Sequence, residues 1–222
     1  MRIRSAWTSA CVAAAFLLAA GMAGAQQNPP TAQELAQRVD RHYDQLHSLK
    51  AGFSESYIGL GIERTESGTL LLRKPGRMKW DYNSPAGKFF LIDGKYAYFY
   101  SKGDAQVQRI AAKELDDLRS PLRFLLGHTE LEKEVTGLKL TGSSNGSFTL
   151  AGQPKGQEQR VLRMTLTVTA AGVITGIEID EADGAITRFT FTEEQPDVPI
   201  PAESFHFVAP GGVPVVDAPA PV

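Results

Sequence analysis

The chain has 222 residues, enough for one domain. With 42% hydrophobic and 22% charged residues it has the composition of a globular protein, which excludes disorder of the whole chain. A formal net charge of −2 argues against nucleic acid or an anionic membrane as the main partner.

The first 25 residues read as a secretory signal peptide. Arg2 and Arg4 make a positive start, Ala10 to Met22 is almost wholly apolar, and Ala23-Gly24-Ala25 supplies a small-x-small cleavage pattern. Cys11 is the only cysteine and lies inside this leader, where Thr8-Ser9-Ala10 is a poor context for lipidation. The mature chain is then without a disulfide, a thiolate metal site or a Cys nucleophile. Loss of the two arginines brings its charge to about −4.

Thr31 and Glu34 form a capping box, and Leu35, Val39, Tyr43, Leu46 and Leu49 line one face of a helix running to about Leu49. Extended segments follow. Ala51, Phe53 and Tyr57 share a face on which Glu55 is the polar exception. Ile62 to Arg73 is the next strand, and Pro75-Gly76 a turn. Met78, Trp80 and Tyr82 alternate with Lys79 and Asp81. Asp93-Gly94 joins Lys88–Asp93 to Lys95–Ser101 as a hairpin. Residues 111–118 read as helical, and Pro121 opens a second short helix, Leu122 to Leu126, closed by Gly127. Strands return over 138–141, 148–151, 161–168, 173–180 and 186–192, with a last short one expected over Phe205–Val208. The domain is expected to span residues 26–209, and the Pro/Ala/Val-rich residues 210–222 to be a disordered tail. Short turns between neighbours make the sheet antiparallel.

Two strands break the rule that an antiparallel sheet keeps one wet face. Phe89-Phe90-Leu91-Ile92 and Tyr96-Ala97-Tyr98-Phe99-Tyr100 are apolar on both faces. An open barrel with helices over its mouth satisfies them: one face becomes the interior and the other is partly aromatic or covered. Its interior is either solid core or a cavity. The apolar crowding of Leu122, Phe124, Leu125 and Leu126 favours a lid over a ligand.

Catalytic motifs fail on context. Gly142-Ser143-Ser144-Asn145-Gly146 matches a nucleophile elbow, but a strand rather than a helix follows the serine, and Asn145-Gly146 is a hairpin turn. His42, His47, His128 and His206 show no metal spacing, and Asp116-Asp117 and Glu193-Glu194 point their side chains in different directions. No phosphate or dinucleotide fingerprint is present, so neither an enzyme nor a cofactor is expected. Arg73, Lys74, Arg77 and Lys79 cluster around the Pro-Gly turn, either for solubility or to bond the carbonyl ends of lid helices or an acidic partner.

Several stretches carry a family resemblance. They are Leu46-His-Ser-Leu49, Phe53, Gly68-Thr-Leu-Leu-Leu72-Arg-Lys-Pro75, Met78-Lys-Trp80-Asp-Tyr82, Phe89-Phe-Leu-Ile-Asp-Gly94-Lys, Tyr98-Phe-Tyr100 and Ser120-Pro121-Leu-Arg-Phe-Leu-Leu126. From about Ala32 to Val208 the chain resembles the periplasmic outer-membrane lipoprotein carriers of the LolA type. The resemblance implies an incomplete antiparallel β-barrel with a lid of short helices over an apolar cavity. It implies a monomeric, non-enzymatic periplasmic chaperone that receives acylated lipoproteins from an inner-membrane ABC transporter and passes them to an outer-membrane acceptor. It places the cavity and lid at Phe53, Leu71, Met78, Trp80, Tyr82, Phe90, Tyr98, Leu122, Phe124 and Leu125. One departure stands out. The family has an Arg before the Pro that bonds the lid backbone, and this chain has Lys74, a donor without the planar fork. A glycolipid carrier or an envelope-stress sensor on the same scaffold is the alternative reading.

Overall fold

The computed structural model describes residues 29–117 and 130–218. The expected signal peptide and the helix expected after Pro121 lie outside the described residues. Helix α1 (Ala32–Gln45) starts at the capping box: the Glu34 amide donates to Thr31 Oγ1 at 3.2 Å, and the Thr31 amide donates back to Glu34 Oε2 at 2.8 Å. Leu35, Ala36, Val39 and Tyr43 form its buried stripe. It ends earlier than its apolar spacing predicts, because the next turn is captured. Asp197 accepts from the amides of His47 and Ser48, and the Lys74 amide donates to the His47 carbonyl.

Six strands follow: β1 (Ser48–Gly59), β2 (Ile62–Arg73), β3 (Arg77–Ser84), β4 (Phe89–Ile92), β5 (Tyr96–Tyr100) and β6 (Val107–Ala111). Short helices α2 (Ala112–Asp117) and α3 (Leu131–Glu134) precede β7 (Val135–Ser144), β8 (Ser147–Pro154), β9 (Val161–Thr169), β10 (Ile174–Glu181), β11 (Ile186–Pro196) and β12 (Val215–Asp217). Together the strands make one open sheet in the order β12-β6-β5-β4-β3-β2-β1-β11-β10-β9-β8-β7. The sheet does not close into a barrel: β12 and β7 are its two ends. All pairings are antiparallel except β12 with β6. Strand β6 was not expected, because its five residues carry only Val107 and Ile110 as buried apolar groups.

Each face of the sheet has its own core. The inner face, packed by α1, carries Leu49, Phe53, Leu70, Leu72, Met78, Trp80 and Ile92, and on the other half of the sheet Leu150, Leu166, Ile177 and Phe189. The outer face of β4–β6 holds Leu91, Tyr98 and Val107, with Phe89, Tyr96 and Tyr100 beside them. The chain's own C-terminal segment covers them through Ile200, Phe205, Phe207, Val213 and Val215. The ring of Phe207 stacks on Tyr98 at 3.9 Å between centroids. This cover resolves the two-sided apolarity of β4 and β5.

It also alters two expectations. Residues 202–205 form a 3-10 turn rather than the start of a strand, and Phe205 and Phe207 are spent on covering the sheet. Residues 215–217, expected in a disordered tail, extend the sheet instead, because Val215 packs on the outer cluster and Arg109 bonds both oxygens of Asp217 at 2.7 and 3.0 Å.

Helix α1 docks against the β9–β10 turn. Arg38 Nη1 donates to the Ala170 carbonyl at 2.9 Å. Gly172, at φ +90°, closes the turn so tightly that an added Cβ would lie 2.4 Å from the Arg38 backbone. Gly146, at φ +78°, has open space around it and serves as the control. Gly172→Ala is expected to cost about 2 kcal/mol, lowering the melting temperature by about 4–8 °C, and Gly146→Ala clearly less. Calorimetry of the two variants checks this, and equal losses would show that the helix is not held by this contact.

Candidate functional site

The candidate site is the aromatic part of the inner face. Cross-strand register builds it: Phe53 lies opposite Gly68, Gly68 opposite Tyr82, Leu70 opposite Trp80, and Trp80 opposite Phe90. Gly68 matters here, because a Cβ would lie 2.0 Å from the Asp81 carbonyl oxygen. Phe53 meets Trp80 edge-on at 4.7 Å and Tyr82 at 5.0 Å. Trp80 continues to Phe189 at 5.5 Å and Phe191 at 6.0 Å, and Phe90 packs on Phe99 at 4.6 Å. The Trp80 indole N–H is directed to Met78 Sδ at 3.1 Å. Ring pairs of this kind add about 0.5–1.5 kcal/mol each beyond area burial, which stiffens the floor.

Of the residues picked out from the sequence, Phe53, Met78, Trp80, Tyr82 and Phe90 come together on this face. Leu71 and Tyr98 do not. They belong to the outer cluster, because strand alternation sends them away from Leu70, Leu72 and Phe99. Leu122, Phe124 and Leu125 lie outside the described residues. The inner-face cluster also includes Leu131, the first residue of α3, and Ala112, the first of α2, packs against it.

A charged network closes one end of the floor. Glu55 and Glu66 are opposite one another on β1 and β2, both 9% exposed. The Tyr82 hydroxyl donates to Glu55 at 2.9 Å. Lys88 bonds Glu66 and sits 4.2 Å over the Tyr82 ring. Burial, with the Glu55 charge beside it, raises the Tyr82 pKa above its ordinary value, so this phenol stays a donor. The sequence marked Glu55 as an anomaly on an apolar face. Its partner was not legible, since Tyr82 meets Glu55 only through the register of β1, β2 and β3.

Lys74 and its neighbours lie at the other end. Lys74 Nζ donates to the carbonyls of Tyr43 and Asp44 in the last turn of α1, the latter at 3.0 Å. This satisfies orphan carbonyls at the negative end of the helix dipole. Burial lowers the Lys74 pKa, against the opposing pull of Asp44 and Asp197. Arg73, on the opposite side of the strand, donates to the Ile200 carbonyl at 3.0 Å. An open cleft of about 550 Å³ lies between His47, Arg73, Lys74 and residues 198–201, away from the aromatic floor.

Four further contacts seat α1. Glu194 accepts from the Tyr43 hydroxyl at 3.2 Å and meets His42 Nε2 at 2.6 Å. The Ile174 amide donates to the Tyr43 oxygen at 3.1 Å. Asp40 accepts from the Leu131 amide at 3.1 Å and so ties α1 to α3.

An open antiparallel sheet with an apolar inner face is the fold that the resemblance implied. The sequence pattern of outer membrane lipoprotein carrier protein LolA matches residues 45–208. The chain belongs to the LolA family. The outer-membrane lipoprotein carrier protein of Chromobacterium violaceum is 28% identical over 201 residues, covering 90% of this chain and 96% of that one. Its counterpart in Ralstonia nicotianae is 31% identical over 159 residues, 71% of this chain and 72% of that one. Two solved structures share the fold. An uncharacterized conserved protein from Thermus thermophilus has a TM-score of 0.55 at 14% identity, covering 84% of this chain and 99% of that one. The lipoprotein LppX of Mycobacterium tuberculosis has a TM-score of 0.51 at 16% identity, covering 77% and 97%. Within this LolA-family chain, no described helix is long and apolar enough to cross a membrane, and the described residues contain no metal-type cluster.

Two outcomes follow from how α1 is held. Lys74→Ala is expected to speed amide exchange in the last turn, Tyr43 to Gln45, by about tenfold, and to leave the Leu35–Val39 amides unchanged. Exchange rising along the whole helix would make Lys74 its sole lock. The second concerns pH. Desolvation pushes the Asp40 carboxyl up to about 6, the Leu131 amide opposes this, and Asp44, Glu130 and Glu132 reinforce it. Between that value and the unfolded 3.8, the native state binds more protons than the unfolded chain, so this group adds stability as the pH falls through 6. Asp40→Asn keeps an acceptor for Leu131 without the charge. Its melting temperature should exceed that of the parent above pH 7 and converge on it near pH 4.5, and a constant difference across that range would refute the assignment.

Proposed function

We propose that the chain is a periplasmic lipoprotein carrier that holds the acyl chains of its cargo against the inner face of the sheet. The observation that carries this reading is the aromatic floor of Phe53, Trp80, Tyr82 and Phe90 on an open, twelve-stranded LolA-family sheet. A floor of packed rings, with the Tyr82 hydroxyl and the Trp80 N–H already engaged by Glu55 and Met78, offers apolar area that suits a saturated chain and not a polar ligand. Met78 supports the floor from its edge, and Leu122, Phe124 and Leu125 are assigned to the lid that meets the cargo. Lys74 takes the part of the family's lid-controlling Arg by holding the C-terminal turn of α1. Leu71 and Tyr98 have no part in the ligand site and brace the sheet from outside. The relatives' names support the cargo class, and their family supports the periplasm as the compartment.

Energetics constrain how such a carrier works. Each buried CH₂ is worth about 0.8 kcal/mol, so a fully buried chain of about 16 carbons approaches ~12 kcal/mol, nanomolar or tighter. Several fully buried chains would never leave. The chains must therefore be buried incompletely, with closure of the helices competing against them. Loading then draws on an energy source outside this chain, such as an inner-membrane ABC transporter, and release needs an outer-membrane acceptor that binds better.

A photo-crosslinking residue at Phe90 or Phe124, illuminated in living cells, tests this reading. Acylated lipoproteins should be trapped at both positions and not at the exposed Leu162. Glycolipid or a signalling protein trapped in their place would leave the fold standing and overturn the function.

A further inference from the structure

The β1–β2 hairpin ends in Tyr57-Ile58-Gly59-Leu60-Gly61-Ile62. Leu60 is 75% exposed, Ile62 54% and Ile58 43%, so three large aliphatic side chains crowd one narrow tip. The turn makes this harder to explain by folding. Leu60 and Gly61 have φ of +52° and +75°, a two-residue turn with both central residues left-handed. The β7–β8 hairpin has the same backbone, with Asn145 at +51° and Gly146 at +78°. There the first position carries Asn, which tolerates that conformation. At the β1–β2 tip a leucine occupies it, at a conformational cost, and then points its side chain into water. Neither local geometry nor packing rewards Leu60, so its reward lies outside the chain.

We infer that this tip is a touch-down element that inserts into the surface of a lipid bilayer. Three observations favour lipid over protein. The apex is two strands wide, whereas a stable protein interface takes about 800 Å² from each partner. Gly59 pairs with Ile62, so the backbone is already hydrogen-bonded up to the turn itself and can enter an apolar medium at little cost. One layer below Ile58 and Glu63, Tyr57 lies opposite Arg64, whose guanidinium sits 4.6 Å over the ring. An amphipathic aromatic and a cation at this level match the water–lipid boundary. Three residues of strand separate that layer from Leu60, about 10 Å, so the apex reaches the ~5–10 Å depth of interfacial elements while the Glu63 carboxylate stays at the headgroup level. Glu63 beside Ile58 and Asp183 in the neighbouring β10–β11 turn keep the surroundings acidic, so insertion is apolar and gains nothing from anionic lipid.

The purpose of the contact rests on the carrier reading: a protein that ferries acylated cargo between two membranes gains from an apolar foot beside the aromatic floor. The contact itself does not rest on it. The test is co-flotation of the cargo-free mature protein with phosphatidylethanolamine–phosphatidylcholine vesicles. Leu60→Asn places the turn-compatible residue at the apex. It should melt no lower than the parent and partition onto vesicles about tenfold more weakly, and adding phosphatidylglycerol should not strengthen binding by the parent. Equal partitioning of parent and variant overturns the proposal. So does a photo-crosslinker at residue 60 that captures an envelope protein and no lipid. The vesicles hold no lipoprotein, so a failed carrier function would show at Phe90 and leave this result untouched.

Discussion

Strand β1 joins the two halves of the sheet, and the rest of the structure depends on that seam. It pairs along its length with β2, its neighbour in sequence, and with β11, more than a hundred residues away. The meanders β1–β6 and β7–β11 meet nowhere else in the sheet. The aromatic floor straddles this seam: Phe53 faces Phe191 across it, and Trp80 reaches Phe189 and Phe191 over the two intervening strands. Non-local pairing of this kind delivers its contacts only after a long loop has closed. The part of the floor that crosses the seam therefore exists only once β11 has paired with β1.

An open sheet of this width has to cover two apolar faces without the benefit of closure. The chain divides the task unequally. Outside, the C-terminal segment is laid down with stacked rings and a strand, a cover built to stay. Inside, α1 is fastened over the floor's edge by polar contacts, Lys74 on helix carbonyls, Glu194 on Tyr43 and Asp40 on Leu131. Polar contacts can be exchanged for water at a net cost of about 1 kcal/mol each, whereas an apolar cover loses its burial outright. Helix α1 adds these polar contacts to its own buried stripe of Leu35, Ala36, Val39 and Tyr43, so both covers rest on burial and the inner one on polar contacts besides.

The local periodicities were legible. Strict alternation in Met78-Lys79-Trp80-Asp81-Tyr82 and the capping box at Thr31 survive folding unchanged because neighbours in sequence decide them. The two-sided apolarity of β4 and β5 foretold a covered outer face. It did not say that the cover is the chain's own C-terminus, because Phe207 reaches Tyr98 by tertiary packing alone. Leu71 and Tyr98 show the limit. Each sits in an apolar run, and in such a run one residue of register decides which face a side chain takes. Strand β6 and β12 were missed for a related reason: short edge elements with few buried groups leave little periodic signal. Tyr82 was invisible as the partner of Glu55 until β1, β2 and β3 were aligned.

The lysine in place of the family's arginine has a narrower consequence than its position suggests. Lys74 grips α1 only at its last turn, and a lysine serves two carbonyls there without needing a planar fork. Arg38, Asp40 and Tyr43 hold the same helix at points along its length. No one of these contacts can release α1, so Lys74 tunes the rim and not the whole helix. Asp40 ties α1 to the first residue of α3 through the Leu131 amide, so a helix-to-helix hydrogen bond, rather than the lysine, joins α1 to its helical neighbour.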